Sequence, residues 1–101
     1  MTDTTIKLLP VGEVFPINED ITSLVPQASP EDSVLISTDI RENGLLIPVL
    51  VYKGELVDGR ARQLACTLAN IPIKYEELSY KLTTEQVVSI VNSNHIRRGS
   101  H

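Results

Sequence analysis

The sequence has one cysteine, no tryptophan and only 4% aromatic residues. A lone cysteine excludes an intrachain disulfide, so we expect Cys66 to be a small buried apolar residue in a reducing cytoplasm, with a reactive thiol as the alternative. The 101 residues, 42% of them hydrophobic, suit a single compact domain and leave no room for two.

Long apolar runs are also missing. No stretch approaches the roughly 20 apolar residues of a membrane-spanning helix. The first residues, MTDTTIK, lack the basic start and apolar run of a signal peptide. We therefore expect a soluble cytoplasmic protein without a membrane partner.

Positive charge is scarce. Nine Lys and Arg residues face thirteen Asp and Glu, for a formal net charge of -4. Purely electrostatic binding of DNA by the whole surface is therefore not expected. Four arginines nevertheless form two short clusters, Arg60 with Arg62 and Arg97 with Arg98.

The first half of the chain predicts one strand and one long helix. Residues 4 to 10, TTIKLLP, are typical of a strand closed by proline, and residues 11 to 30 predict an irregular connection with a short turn of helix. The residues SPED at 29 to 32 supply an N-cap, a proline and two acids, so a helix is predicted over about residues 30 to 43. The Asn-Gly pair at 43 and 44 ends it.

The second half predicts a buried strand and its partner. Residues 45 to 52, LLIPVLVY, are almost continuously apolar, which indicates a strand buried on both faces. A turn at residues 53 and 54 leads into a short partner strand, residues 55 to 57.

A helix, a strand and a last helix follow. The helix is predicted from about Arg60 to Asn70, and the strand over residues 71 to 76 with Pro72 favouring a sheet edge. The last helix starts near residue 83 and reaches its end around residues 92 to 94. The fold class predicted is α/β (α+β), a small mixed sheet packed with about three helices.

The turn before the second predicted helix carries the first arginine cluster. Gly59 permits a tight turn, and the amides at a helix start are unpaired, which makes them receptive to phosphate or carboxylate. Arg60 and Arg62 are otherwise unfavourable there, because cations belong at the opposite end of the helix dipole. The alternative is that both arginines pair with Asp58 or Glu55 on a solvated surface. The turn lacks the length and lysine of a P-loop, which excludes that class.

The second cluster lies in SNHIRR, residues 93 to 98. Arginines there also suit a helix end, where they satisfy terminal carbonyls. No other His, Cys or carboxylate at ligand spacing supports a metal site at His95. Asn94 and His95 could join a phosphate or a hydrated magnesium ion if the two predicted helix ends meet.

Several motifs in order resemble the N-terminal domain of ParB-like proteins, which has the ParB/sulfiredoxin fold. Residues 39 to 65, DIRENGLLIPVLVYKGELVDGRARQLA, are similar to the phage and plasmid branch with a DGRxR signature. LLPVGEVFP at 8 to 16 resembles the opening strand and loop of that family, and VVSIVNSNHIRR at 87 to 98 resembles its closing helix. The resemblance covers almost the whole chain.

The resemblance implies a pocket that holds CTP or another nucleoside triphosphate with Mg²⁺, and nucleotide-driven clamping on DNA for plasmid or chromosome partition. It also implies a homodimer in the parent protein, associated with the bacterial nucleoid, a plasmid or a phage. Carried over by position, Asn94 is the metal ligand, and the nucleotide-binding residues are Gly59, Arg60, Arg62, Asn94, Arg97 and Arg98.

Departures from the family pattern bear on catalysis. Ser93 stands where partition proteins usually have an acid, and Ala61 separates two arginines that are often adjacent, so hydrolysis is less expected than binding. No catalytic residue is assigned. Sulfiredoxins carry a catalytic Cys within the glycine turn, whereas Cys66 lies further along the helix, so their activity is not expected.

The last three residues, Gly-Ser-His, resemble an expression-vector remnant. We therefore expect a domain of residues 1 to 98 from a longer protein whose helix-turn-helix region contacts DNA. Two other functions stay open. One is a ParB-like nuclease or nucleotide-dependent enzyme, and the other is a protein-interaction or dimerisation module without nucleotide binding.

Overall fold

The computed structural model describes residues 6–25, 29–44 and 47–99, and for residues 30 and 94–99 it describes the backbone alone. Within these ranges the chain forms four strands and four helices. Their order is β1 (Ile6–Leu9), α1 (Glu19–Thr22), α2 (Pro30–Asn43), β2 (Val49–Tyr52), β3 (Glu55–Asp58), α3 (Arg60–Ala69), β4 (Ile73–Leu78) and α4 (Thr84–Gly99). The predicted α+β fold with a small mixed sheet is confirmed, and α1 supplies the short helical turn expected between residues 11 and 30.

The sheet has the strand order β1-β4-β2-β3. Its two inner strands, β2 and β4, run parallel, and each outer strand is antiparallel to its neighbour. The turn between β2 and β3 places Lys53 and Gly54 at φ 52° and 79°, as a two-residue type I′ hairpin requires. All four residues of β2 are buried, as predicted for a strand covered on both faces, but the predicted bounds of residues 45 to 52 are too long, since β2 begins at Val49 and Ile47 is 46% exposed. Residues 45 and 46 lie outside the described part of the chain.

The prediction that Pro72 moves its strand to a sheet edge is wrong. The strand β4 is an inner strand, with β1 on one side and β2 on the other. Pro72 precedes the first strand residue, Ile73, so the missing proline N–H removes no hydrogen bond from the ladder.

Two hydrophobic clusters cover the two faces of the sheet. The first contains Ile40, Val49, Val51, Leu56, Ala65, Cys66 and Ile73. The second contains Ile21, Val25, Leu50, Tyr52, Val57, Val87 and Val91. Successive strand residues point to opposite faces, so α2 and α3 pack on one face and α1 and α4 on the other. The architecture is therefore three layers, with the sheet in the middle.

The helix ends follow the capping signals in the sequence. The Ser29 hydroxyl accepts a hydrogen bond from the Asp32 amide at 3.1 Å, and Gly44 ends α2 at φ 79°. The helix α3 ends at Asn70 in the left-handed conformation, φ 57°. These outcomes confirm the predicted bounds of both helices to within a residue.

The last helix is longer than its sequence pattern indicates. Thr83 and Gln86 form a reciprocal capping box, with side chain to backbone distances of 2.9 and 3.1 Å. From there α4 continues through residues 92 to 94, where its end was predicted, to Gly99. The second arginine cluster thus lies in the last turns of a continuous helix. Across the described ranges, no helix has both the length and the apolarity needed to cross a membrane.

We expect Val91→Ala to lower the free energy of unfolding by about 2 kcal/mol, because it removes two methyl groups from the second hydrophobic cluster and leaves a cavity. Val34→Ala on the exposed face of α2 is the matched control, and it should change the value by less than about 0.5 kcal/mol. Urea unfolding of both variants measures the difference. Equal effects would contradict the place of Val91 in the core.

Candidate functional site

The start of α3 differs from the starts of α1 and α2. Asn18 and Ser29 cap those two helices through their side chains, and each helix has two acids in its first turn. The helix α3 has Gly59 at its N-cap, no side-chain cap and no acid in its first turn. Its first residue is Arg60. The positive end of the helix dipole is therefore joined by an arginine, which favours an anion at this position.

Gly59 is required by its backbone and by its neighbour. Its φ of 103° lies in the left-handed region that side chains disfavour. A Cβ at this position would lie 2.7 Å from Cγ1 of Val49, a buried residue of β2. Glycine thus lets the backbone that enters α3 approach the beginning of β2 closely.

Arg62 is buried rather than solvated, with a relative exposure of 8%. Its Nη2 lies 3.7 Å from Oδ2 of Asp58, which is also buried, and donates a hydrogen bond to the Pro48 carbonyl at 3.3 Å. The alternative interpretation of an arginine paired with Asp58 therefore holds for Arg62, but inside the fold and not on its surface. The guanidinium ties the end of β3 to the residue before β2.

Arg60 is exposed and lies on a groove beside the same helix start. Within the described residues it forms no ion pair. The groove is open, with a volume of about 600 Å³. Residues of α3 line one part of it, and residues 14 to 17 line another. Ser33 of α2 also contributes to the lining. The two arginines of the first cluster thus occupy different environments, one internal and one facing solvent.

Gln63 is a residue of this site that the sequence analysis missed. Its side chain is buried, yet it exchanges two hydrogen bonds with the main chain of Phe15. The Phe15 amide donates to Oε1 at 3.0 Å, and Nε2 donates to the Phe15 carbonyl at 3.1 Å. No local pattern points from a helical glutamine to a loop 48 residues earlier, so only the tertiary structure reveals this contact.

Cys66 lies on the same helix and is fully buried in the first hydrophobic cluster of the core. Burial raises the pKa of its thiol, and the positive charge of Arg62 lowers that pKa by a smaller amount. A raised pKa keeps the thiol protonated and weakly nucleophilic. The interpretation of Cys66 as a small apolar core residue is therefore favoured over a reactive one.

The direction of α4 bears on whether the two arginine clusters share one site. The strand β4 ends where Leu78 pairs with Tyr52, and the Tyr52 hydroxyl donates to the Leu82 carbonyl just before α4 begins. From that end of the sheet α4 begins, and it contributes Val87 and Val91 to the second hydrophobic cluster. A helix of 16 residues is about 24 Å long and a four-residue strand about 13 Å. The length of α4 is therefore sufficient to reach the end of the sheet where β2 begins.

The same end of the sheet holds the Gly59 turn, because Asp58 pairs with Leu50 near the start of β2. The two helices nevertheless pack on opposite faces, so a common pocket would have to form at the end of the sheet. The side chains of Asn94, Arg97 and Arg98 lie outside the described part of the structure. Their contribution to such a pocket remains a prediction.

The residues present suit a phosphate group better than a bare metal ion. Among the described residues, no group of three or more His, Cys, Asp or Glu side chains is arranged to hold a metal. The carboxylate of Asp58, the nearest acid to the turn, is already paired with Arg62. Mg²⁺ binds readily through substrate phosphates and few protein ligands. Asn94, the predicted metal ligand, would be the protein residue to hold such an ion.

No protein-family model matches this chain, and no curated protein or solved structure matches it either. The likeness to ParB-like domains therefore rests on the motifs of this sequence.

We expect Gly59→Ala to lower the free energy of unfolding by about 3 kcal/mol, the sum of about 1–2 for a left-handed residue and about 1–3 for overpacking against Val49. Gly12→Ala is the matched control, since Gly12 has φ +95° and open space around it. It should show the backbone cost alone, about 1 kcal/mol. Denaturant unfolding measures both, and equal losses would contradict a steric role for Val49.

Proposed function

We propose that residues 1 to 98 form the N-terminal regulatory module of a ParB-like DNA-binding protein, and that the start of α3 binds a nucleoside triphosphate, CTP in preference to the others. The observation that carries the proposal is an uncapped helix start with an exposed arginine beside an open groove. The DGRxR motif at residues 58 to 62 and the Asn-Arg motif at residues 94 to 98 supply the resemblance to the nucleotide-binding family.

In this proposal the triphosphate is held by two kinds of donor. The amides in the first turn of α3 point out of the helix and give hydrogen bonds without any side chain. The guanidinium of Arg60 adds a forked, charge-assisted pair of bonds to phosphate oxygens. Because both donors lie at one helix end, their effects on an anion add.

Arg62 has a different part in the proposal from Arg60. Its guanidinium already faces the Asp58 carboxylate and the Pro48 carbonyl inside the fold. It therefore shapes the turn that presents the amides, and a direct bond to phosphate would require the phosphate to replace Asp58. The net positive charge available to the ligand comes mainly from Arg60 and the helix end, with Arg97 and Arg98 as the proposed second contribution.

Magnesium bound with the triphosphate would screen the phosphate charge, and Asn94 is the proposed protein ligand. The rest of the function belongs to the parent protein. A nucleotide bound at this turn would favour the association of two copies, and a helix-turn-helix region beyond residue 98 would read the DNA. This division accounts for a net charge of -4 in a module of a DNA-binding protein, since the module itself need not contact DNA phosphates.

We expect titration calorimetry with the four ribonucleoside triphosphates and Mg²⁺ to show binding, with CTP the tightest. Arg60→Ala should weaken it roughly thirtyfold, the equivalent of about 2 kcal/mol for one forked arginine contact. Arg41→Ala is the matched control. Arg41 is an exposed arginine in the last turn of α2, so its substitution removes the same charge from another helix. It should leave the affinity within about twofold of the wild type, because Arg41 lies roughly 12 Å further along α2 than Ser33, the α2 residue that lines the groove, and a surface charge at that distance is largely screened.

The absence of heat with every triphosphate, also in a chain that continues past residue 98, would contradict the proposal. An equal loss in the Arg60 and Arg41 variants would show that overall charge is responsible and not the α3 start. Thermal unfolding of both variants checks that neither loss reflects a change of fold.

A further inference from the structure

We propose that Gln63 is a positioning residue that fixes residues 14 to 17 as one wall of the groove that Arg60 also lines, an inference that rests on the proposed function of this site. The geometry behind it is the pair of hydrogen bonds between the Gln63 side chain and the Phe15 main chain, at 3.0 and 3.1 Å. Gln63 does not itself touch the proposed phosphate position.

The two bonds reproduce the pairing of neighbouring strands. A strand residue in a hydrogen-bonded pair gives its N–H and its carbonyl to one partner residue. Here the carboxamide of Gln63 takes the place of that partner, with its oxygen accepting and its nitrogen donating. Gln63 as a whole residue is more than nine-tenths buried, at 7% relative exposure, so both bonds are shielded from water.

The segment needs this support at one end. Further along, it is held by β3, because the Asn18 amide donates to the Leu56 carbonyl at 2.9 Å and the Leu56 amide donates to the Pro16 carbonyl at 2.8 Å. Towards the amino terminus β1 ends at Leu9, so no strand pairing continues into residues 10 to 15. At Phe15 the main chain is held by the two Gln63 bonds, while the ring packs on the first hydrophobic cluster and edge-to-face on Tyr75, with centroids 4.7 Å apart.

The placement of Gln63 connects the loop to the anion site. Gln63 is three residues after Arg60, about one turn along α3, and both residues line the groove. The segment that Gln63 holds lines the same groove, through residues 14 to 17. Without the two Gln63 bonds, residues 14 to 17 would become ordered only when a ligand binds. Ordering a segment on binding reduces affinity.

The test uses Gln63→Glu, whose effect depends on pH. An ionised glutamate accepts from the Phe15 amide, but it cannot donate and it places a negative charge beside the Phe15 carbonyl. A protonated glutamic acid can both donate and accept, and restores the pattern of the glutamine. Binding of Mg²⁺-CTP should be roughly tenfold weaker than in wild-type protein at pH 8, and the ratio between the two should approach one as the pH is lowered through the carboxyl pKa.

Two further variants make the result specific. Gln63→Met keeps the length of the side chain without its bonds, and should weaken binding by a ratio that does not change with pH. Gln86→Glu makes the same charge change in the capping box of α4, where glutamate is also accepted, and should leave the affinity unchanged. Protection of the Phe15 amide against exchange, measured by NMR as a ratio to wild-type protein at the same pH, should be lower in Gln63→Glu at pH 8 and approach one at low pH. The expected reason is that the segment opens more often when the Phe15 carbonyl has lost its donor.

The outcomes separate this inference from the proposed function. If wild-type protein binds no triphosphate, the proposed function is overturned and the role of Gln63 in it falls as well. If wild-type protein binds Mg²⁺-CTP while Gln63→Glu keeps full affinity, or loses it by a ratio that is flat with pH, only the positioning role is overturned. A ratio that recovers with acid, together with recovered protection of the Phe15 amide, supports it.

Discussion

The close approach of Gly59 to Val49 is the constraint on which the candidate site depends. The chain leaves β3 and enters α3 within one residue, and the space for a Cβ at that residue is already filled by a buried side chain of β2. This contact brings the first turn of α3 against the beginning of β2. The orientation of the first turn then decides which of its side chains enter the core and which face the groove.

That orientation gives two similar arginines opposite environments. Two positions along a helix rotate a side chain by about 200°, so residues two apart cannot face the same way. Arg62 turns inward, where a buried guanidinium is tolerable because the Asp58 carboxylate lies at ion-pair distance and the Pro48 carbonyl accepts a hydrogen bond. Arg60 turns outward, and its charge remains available to a ligand. A pattern that reads as one cluster in the sequence is therefore one structural and one exposed arginine.

The groove beside Arg60 is assembled from parts that are far apart in the chain. One wall comes from the segment before α1 and the other from α3, and a side-chain amide joins them by bonds that resemble a strand ladder. This contact requires that a polar side chain be buried. Burial of the Gln63 carboxamide is tolerated because its oxygen and its nitrogen both form hydrogen bonds with the Phe15 main chain. A preformed wall of this sort reduces the ordering that a ligand would otherwise have to impose.

Local signals in the sequence were sufficient for most of the secondary structure and for the location of the Gly59 turn. The caps at Ser29, Gly44 and Asn70 and the apolar run before residue 53 act within a few residues, so their physics is readable without the fold. The inner place of β4, the burial of Arg62 and the contact of Gln63 with Phe15 depend on which strands and segments become neighbours. Those neighbours are chosen by burial of the two apolar clusters together, a long-range effect that no short stretch of sequence contains.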